Sequence, residues 1–129
     1  MFKHCLTSAL ALCALATVCT PAPAAQAPQS VHAEIGALFK RMQAAKCQFN
    51  RNSSWYYATE AQEHLTKKLV YFEDRGAIRT TEDFITVAAT KTSLSGKQYL
   101  VQCTGMGPQE SNLWLQEQLK ELRAGSQRP

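Results

Sequence analysis

The sequence predicts an α+β domain, mainly helical, with about four helices, a small two-stranded antiparallel sheet and one disulfide. Three observations carry this expectation. Four segments place apolar residues at three- and four-residue steps, the spacing of one helix face. Two short runs, at 47–49 and 98–104, read as strands. Two cysteines, Cys47 and Cys103, lie in the body of the chain, apart from Cys5, Cys13 and Cys19 near its start.

The chain has 129 residues, enough for one domain. Its 45% apolar and 19% charged residues describe a globular chain rather than a disordered one. A mean hydropathy of −0.27 excludes a multi-span membrane protein. The net charge of +4 is too mild to indicate nucleic acid. The first segment reads as a secretory signal peptide: Lys3 near the start, an uncharged apolar run over 5–19, then small residues over 20–27. That run is about 15 residues, short of the roughly 20 a spanning helix needs. Ala22-Pro23-Ala24 and Ala25-Gln26-Ala27 both offer a cleavage pattern. Pro28 follows the second badly, so cleavage is expected after Ala24. Leu12 and Val18 precede Cys13 and Cys19 where lipid attachment wants a small residue. The expected divisions are a leader at 1–24, a flexible tail at 25–30, one compact domain at 31–123 and a flexible tail at 124–129. The expected location is the periplasm. The mature chain would bury only roughly 60–68% of its unfolded surface, so a staple helps. In an oxidising compartment Cys47 and Cys103 form it, closing a loop of about 56 residues worth ~4 kcal/mol.

The first helix is expected over 31–46. Val31, Ile35, Leu38, Phe39 and Met42 share a face, and Ser30 is the expected N-cap. A short strand follows at 47–49, and 50–54 is turn chemistry. The second helix runs over about 59–74, opened by a Thr59/Gln62 capping box. Ala58, Ala61, Leu65, Leu69 and Phe72 form its stripe, and Gly76 ends it in a left-handed cap. Thr80 caps a short third helix, with Glu82 and Asp83 in its first turn where the dipole favours them. Phe84, Ile85, Val87 and Ala88 are its buried side. A hydroxyl-rich loop at 90–96 leads into the strand of Tyr99, Leu100 and Val101. Gly105, Gly107 and Pro108 break that strand. Ser111 caps a last helix to about Arg123, whose core face is Leu115, Leu119 and Leu122 with Trp114.

Five motifs occur in order: Cys47-x-Phe49-x-Arg51-Asn52, Ala61-x-x-His64-Leu65-x-x-Lys68, Glu82-Asp83-Phe84-Ile85, Ser93-x-Ser95-Gly96-x-x-Tyr99 and Trp114-Leu115. Together they resemble the YfeK-like family of small exported bacterial proteins of unknown function, over roughly residues 35–122. One departure is Ser53, where that family usually has glycine after its Arg-Asn pair. The resemblance implies a bacterial envelope protein and carries no assigned activity.

Candidate contact residues follow from these motifs. Tyr57, Glu60, His64, Lys68 and Tyr71 fall at helical spacing. They read either as a ligand face with His64 exchanging a proton or as a solvated helix side. Arg51 and Asn52 stand close to Cys47. Arg51 has the planar fork that clamps a carboxylate or phosphate, and the plainer reading is a loop tether. Ser93, Ser95, Gly96 and Tyr99 make a glycine-hinged hydroxyl loop. A Ser-Gly-x-x-Tyr loop is similar to one that small periplasmic lysozyme inhibitors insert into an acidic cleft. The plainer reading is a helix-to-strand connection, with Gly96 at positive φ and Tyr99 in the core.

An enzyme finds little support. There is no nucleophile elbow, phosphate-binding glycine loop or metal-ligand spacing, so no metal and no cofactor are expected. The leading expectation is a non-enzymatic binding or interaction module of the bacterial envelope. It would be a monomer with no stable membrane span after cleavage, and its partner an envelope protein or small ligand rather than nucleic acid. The first alternative is an inhibitor of a lysozyme-type cell-wall hydrolase acting through the 95–99 loop. The second is a small hydrolase using His64 and Ser95.

Overall fold

The computed structural model describes residues 18–19 and 27–127. The expected leader lies outside these residues except for Val18 and Cys19, as do residues 25–26 and 128–129. The elements in chain order are α1 (Gln29–Ala44), β1 (Gln48–Arg51), β2 (Ser54–Tyr57), α2 (Ala58–Glu73), α3 (Thr81–Ala88), β3 (Leu100–Gln102), β4 (Gln109–Glu110) and α4 (Ser111–Ser126).

The four helices form on the expected stripes. α1 buries Val31, Ile35, Leu38, Phe39 and Met42. It starts two residues before the expected position, with Pro28 rather than Ser30 at its N-cap. The Pro28 carbonyl accepts from Val31 N–H at 2.9 Å and His32 N–H at 3.2 Å. An extended proline thus opens the helix without a side-chain cap. α2 starts at Ala58, and the expected Thr59/Gln62 box does not form. Tyr57 N–H donates to Glu60 Oε2 instead, at 3.2 Å, because Tyr57 already ends a strand and the helix starts directly after it, which sets the cap two residues before Thr59. Gly76, at φ +66°, closes α2, and its N–H donates to the Glu73 carbonyl. Thr80 caps α3 as expected, its hydroxyl accepting from Asp83 N–H at 3.1 Å. α4 continues to Ser126, three residues past the expected end.

The sheet has four antiparallel strands in the order β2-β1-β3-β4, not two. β1 runs on to Arg51 and turns back through only Asn52 and Ser53, both at positive φ. That is the two-residue turn whose twist suits a hairpin. The turn signals at 50–54 hid β2, because its Trp55 and Tyr57 are exposed and leave no buried alternation to read. β4 is two polar residues that pair with β3 through the backbone, at Leu100 with Glu110 and Val101 with Gln109.

β1 and β3 pair as Gln48 with Gln102, Phe49 with Val101 and Asn50 with Leu100. One step further along the ladder, Cys47 faces Cys103, and these two form the disulfide. The bridge therefore fastens two neighbouring strands where α1 has just ended. One face of the sheet lies on α2 and α4, while α1 packs against all three other helices. Phe49 meets Trp114 edge-on, and Phe39 meets Phe84 likewise, so the sheet half and the helical half share one apolar core. Among the described residues no helix is long and apolar enough to cross a membrane.

Candidate functional site

Strand alternation decides where the site forms. Arg51 lies two residues after Phe49, so both point to the α2 side of the sheet. Tyr99 lies two residues before Val101 and shares that face. The β1–β3 register, continued by one pair, sets Arg51 opposite Tyr99. Above them α2 supplies His64 and Lys68, one turn apart and flanking its apolar stripe.

The four side chains form one connected line. Arg51 Nη1 is 2.5 Å from His64 Nδ1. His64 Nε2 is 2.9 Å from Tyr99 Oη. Lys68 Nζ donates to Tyr99 Oη at 3.2 Å and to the Lys91 carbonyl at 2.9 Å. The hydrogen-bond roles follow from the chemistry. A guanidinium only donates, so Nδ1 of His64 accepts and the ring proton sits on Nε2. Nε2–H and the Lys68 ammonium then occupy both lone pairs of Tyr99 Oη. The phenolic proton of Tyr99 is left without an acceptor among the side chains that touch it.

Burial makes this arrangement costly. Lys68 is 8% exposed and Tyr99 5%. Burial first, then the positive charges of Arg51, Lys68 and Lys67, hold the His64 pKa down to about 4. The Lys68 pKa falls to about 8, through burial and then Arg51. Burial raises that of Tyr99 against the opposing pull of Arg51, so the phenol keeps its proton. Among the described residues no carboxylate lies within 4 Å of Arg51 or Lys68, whereas Arg41 has one and Arg123 two.

A cavity of about 230 Å³ opens on this line. Arg51, His64 and Tyr99 face it, Tyr56 and Phe49 wall it, and Glu60, Glu63 and Lys67 stand on its α2 side. The Arg51 guanidinium also lies over the Tyr56 ring at 4.8 Å. A larger recess of about 700 Å³ lies by the disulfide. It gathers amides and hydroxyls around Lys46, with no chain of buried donors.

The other candidate residues sit at the rim or elsewhere. Ser95 Oγ donates to Asn52 Oδ1 at 2.9 Å and bonds Thr92 Oγ1 at 2.5 Å, tying the hairpin turn to the 92–97 loop. Gly96 has φ +69°, and Ser93 is exposed on the same loop. The polar stripe of α2 divides. Glu60, His64 and Lys68 reach the site, while Tyr57 precedes the helix and Tyr71 is exposed with Arg75 stacked on its ring. Sequence reasoning missed Tyr56 and Glu63, both of which line the cavity. For Tyr56 the available signal was alternation through the hairpin, which carries Phe49 and Tyr56 to the same face.

Fold and site together define a small disulfide-clipped α+β protein with a half-enclosed recess lined by Arg51, Lys67, Glu60 and Glu63. Residues 29–123 match the family of unknown function DUF5329, and the chain belongs to that family. No curated protein and no solved structure matches the chain. Among the described residues no group of three or more His, Cys, Asp or Glu side chains could hold a metal ion.

Proposed function

We propose that the protein is a non-enzymatic binding module of the bacterial envelope, and that the recess at Arg51, His64 and Tyr99 takes a small oxyanion, a carboxylate or a phosphate. One observation carries this reading: the Arg51 guanidinium and the spare phenolic proton of Tyr99 line one cavity, Lys68 bonds Tyr99 from behind it, and among the described residues no carboxylate lies within 4 Å of either cation. A bound oxyanion would accept from Tyr99 and from the unused N–H groups of Arg51, as charge-assisted bonds of the stronger kind. The cavity is smaller than the ~300–1,000 Å³ of sites for drug-sized ligands, so the ligand is small. An envelope role draws its support from the leader-like residues 1–24 and from the resemblance of the motif order to YfeK-like proteins. The inhibitor reading draws less, because Tyr99 turns its hydroxyl inward to His64 and Lys68. The hydrolase reading draws less as well, because Ser95 bonds Asn52 and Thr92 and is not among the residues lining the cavity.

The test is to follow the His64 imidazole resonances of the purified oxidised protein while inorganic phosphate or propionate is added. Saturation is expected, with the His64 pKa rising above about 4 as the added charge offsets its cationic neighbours, while burial continues to hold it down. Affinity should fall as pH rises through about 8, where Lys68 loses its proton. If neither probe moves His64, the oxyanion site is wrong. Intact mass and cell fractionation test the envelope role, and a full-length reduced chain in the cytosol would remove it.

A further inference from the structure

Resting on the oxyanion reading, we infer that the ligand is a small zwitterion of the α-amino acid class: its carboxylate meets Arg51 and Tyr99, and its ammonium meets Glu60 and Glu63. The cavity is bipolar. Arg51 and Tyr99 line it as donors, while Glu60 and Glu63 line it from α2. Glu60 and His64 are one helical turn apart on α2, and His64 is bonded to both Arg51 and Tyr99, so the carboxylates stand beside the donor pair in one cavity. An α-amino acid presents a carboxylate and an ammonium on one small carbon frame, of a size that suits a cavity of about 230 Å³.

The acidic pair has capacity to spare. Glu60 gives one carboxylate oxygen to Tyr57 N–H at 3.2 Å and keeps the other. Glu63 is exposed and makes no hydrogen bond or ion pair within the described chain. Lys67 also lines the cavity, and as the i+4 neighbour of Glu63 it competes for that carboxylate until an ammonium arrives. Between the charged ends the walls are apolar, from Phe49, Ala61 and Leu65. That suits a short aliphatic side chain. The groups facing His64 are Arg51 and Tyr56 from the hairpin, Tyr99 from the strand approach, and Glu60, Glu63, Lys67 and Lys68 from α2. All enter the pH dependence of binding.

The experiment compares alanine, propionate, ethylamine and inorganic phosphate on the full oxidised chain, by calorimetry and by the His64 resonance. Alanine is expected to bind at least tenfold more tightly than propionate, and ethylamine not measurably. Glu63→Gln should bring alanine and propionate to within threefold of each other, chiefly by weakening alanine. Because Glu60 also caps α2, Glu60→Gln is read only beside its melting temperature, and Glu63→Gln carries the decision. If alanine and propionate bind equally well to the unaltered protein, the zwitterion assignment is overturned while the oxyanion site stands. If none of the four probes binds, both fall.

Discussion

Arg51 and Arg123 sit in two clusters built from similar residues with opposite charge balance. Arg123, on α4, grips Glu34 of α1 with two hydrogen bonds, at 2.9 and 3.1 Å, and reaches Glu82 of α3. Thr81, fully buried, donates to Glu34 at 2.6 Å. Two carboxylates share one guanidinium, and both have pKa values lowered chiefly by its hydrogen bonds. This cluster ties three helices together and makes each charge easier to keep. Around Arg51 the neighbours are a histidine, a lysine and a phenol, and each cation makes the next harder to protonate. A cluster that satisfies its own charges is a tie; one that leaves them unsatisfied beside a cavity is a socket.

The largest effect bears on the sheet that carries the socket. Replacing Cys47 and Cys103 with serine should cost ~4 kcal/mol in urea unfolding, since a loop of about 56 residues is no longer closed. The same change should loosen the β1–β3 ladder that aligns Arg51 with Tyr99, weakening probe binding. Amide exchange should rise first at Gln48 and Gln102 and last in α3. Uniform exchange across both clusters would mean that they do not differ in this dependence.

Arg51→Met and Arg123→Met give the most direct contrast. Arg51→Met should weaken propionate or phosphate at least 30-fold, about 2 kcal/mol. Its melting temperature should hold or rise, because His64 and Lys68 lose a repelling neighbour. Arg123→Met should leave binding unchanged and lower stability by about 1 kcal/mol, a modest figure because Arg123 and Glu82 are half exposed to solvent. Opposite assignments of the two losses would reverse the comparison.

Acid separates the clusters by window. His64 has a folded pKa depressed to about 4 from 6.5. Between these values the unfolded chain takes up a proton that the folded chain refuses, so stability is full above 6.5 and declines as pH falls toward 4. Glu34 and Glu82 are depressed carboxylates. Their contribution is present above their ordinary value of 4.5 and is lost below it, as pH falls through the folded values. Stability curves should therefore show two acid steps. His64→Gln should remove the upper one, after solvent screening about 1–2 kcal/mol, and Arg123→Met the lower. A single step surviving in both variants would merge the two clusters.

The smallest effect tests the turn that carries Arg51. Ser53 sits at φ +69°, where a side chain costs about 1 kcal/mol relative to glycine. Ser53→Gly should raise stability by ~0.5–1 kcal/mol in thermal melts, without altering the Arg123 cluster. A loss of stability would mean that the serine side chain holds the turn.

Much of the helical half was legible. The α1 stripe reads directly from Val31 to Met42, and Thr80 with Asp83 announces the start of α3, because both signals are local. The sheet was half legible. β2 is an exposed edge, and β4 pairs through backbone groups that every residue possesses, so neither leaves a composition signal. The site residues Arg51, His64, Lys68 and Tyr99 each stood out as residue types, but not as a set. His64 could equally have been a solvated helix side, since nothing within one turn of it decides the matter.

What the sequence alone determined is what short-range physics controls: helix faces, the third helix's cap, the left-handed glycine after α2 and, with two cysteines in the body of the chain, the bridge between them. What only the tertiary structure decided is which distant groups meet. Arg51 reaches His64 across 13 residues, and His64 reaches Tyr99 across 35. Those meetings depend on ladder register and on where α2 lands on the sheet. Both are set by burial of Phe49, Val101 and Leu65 rather than by the polar residues that gather there.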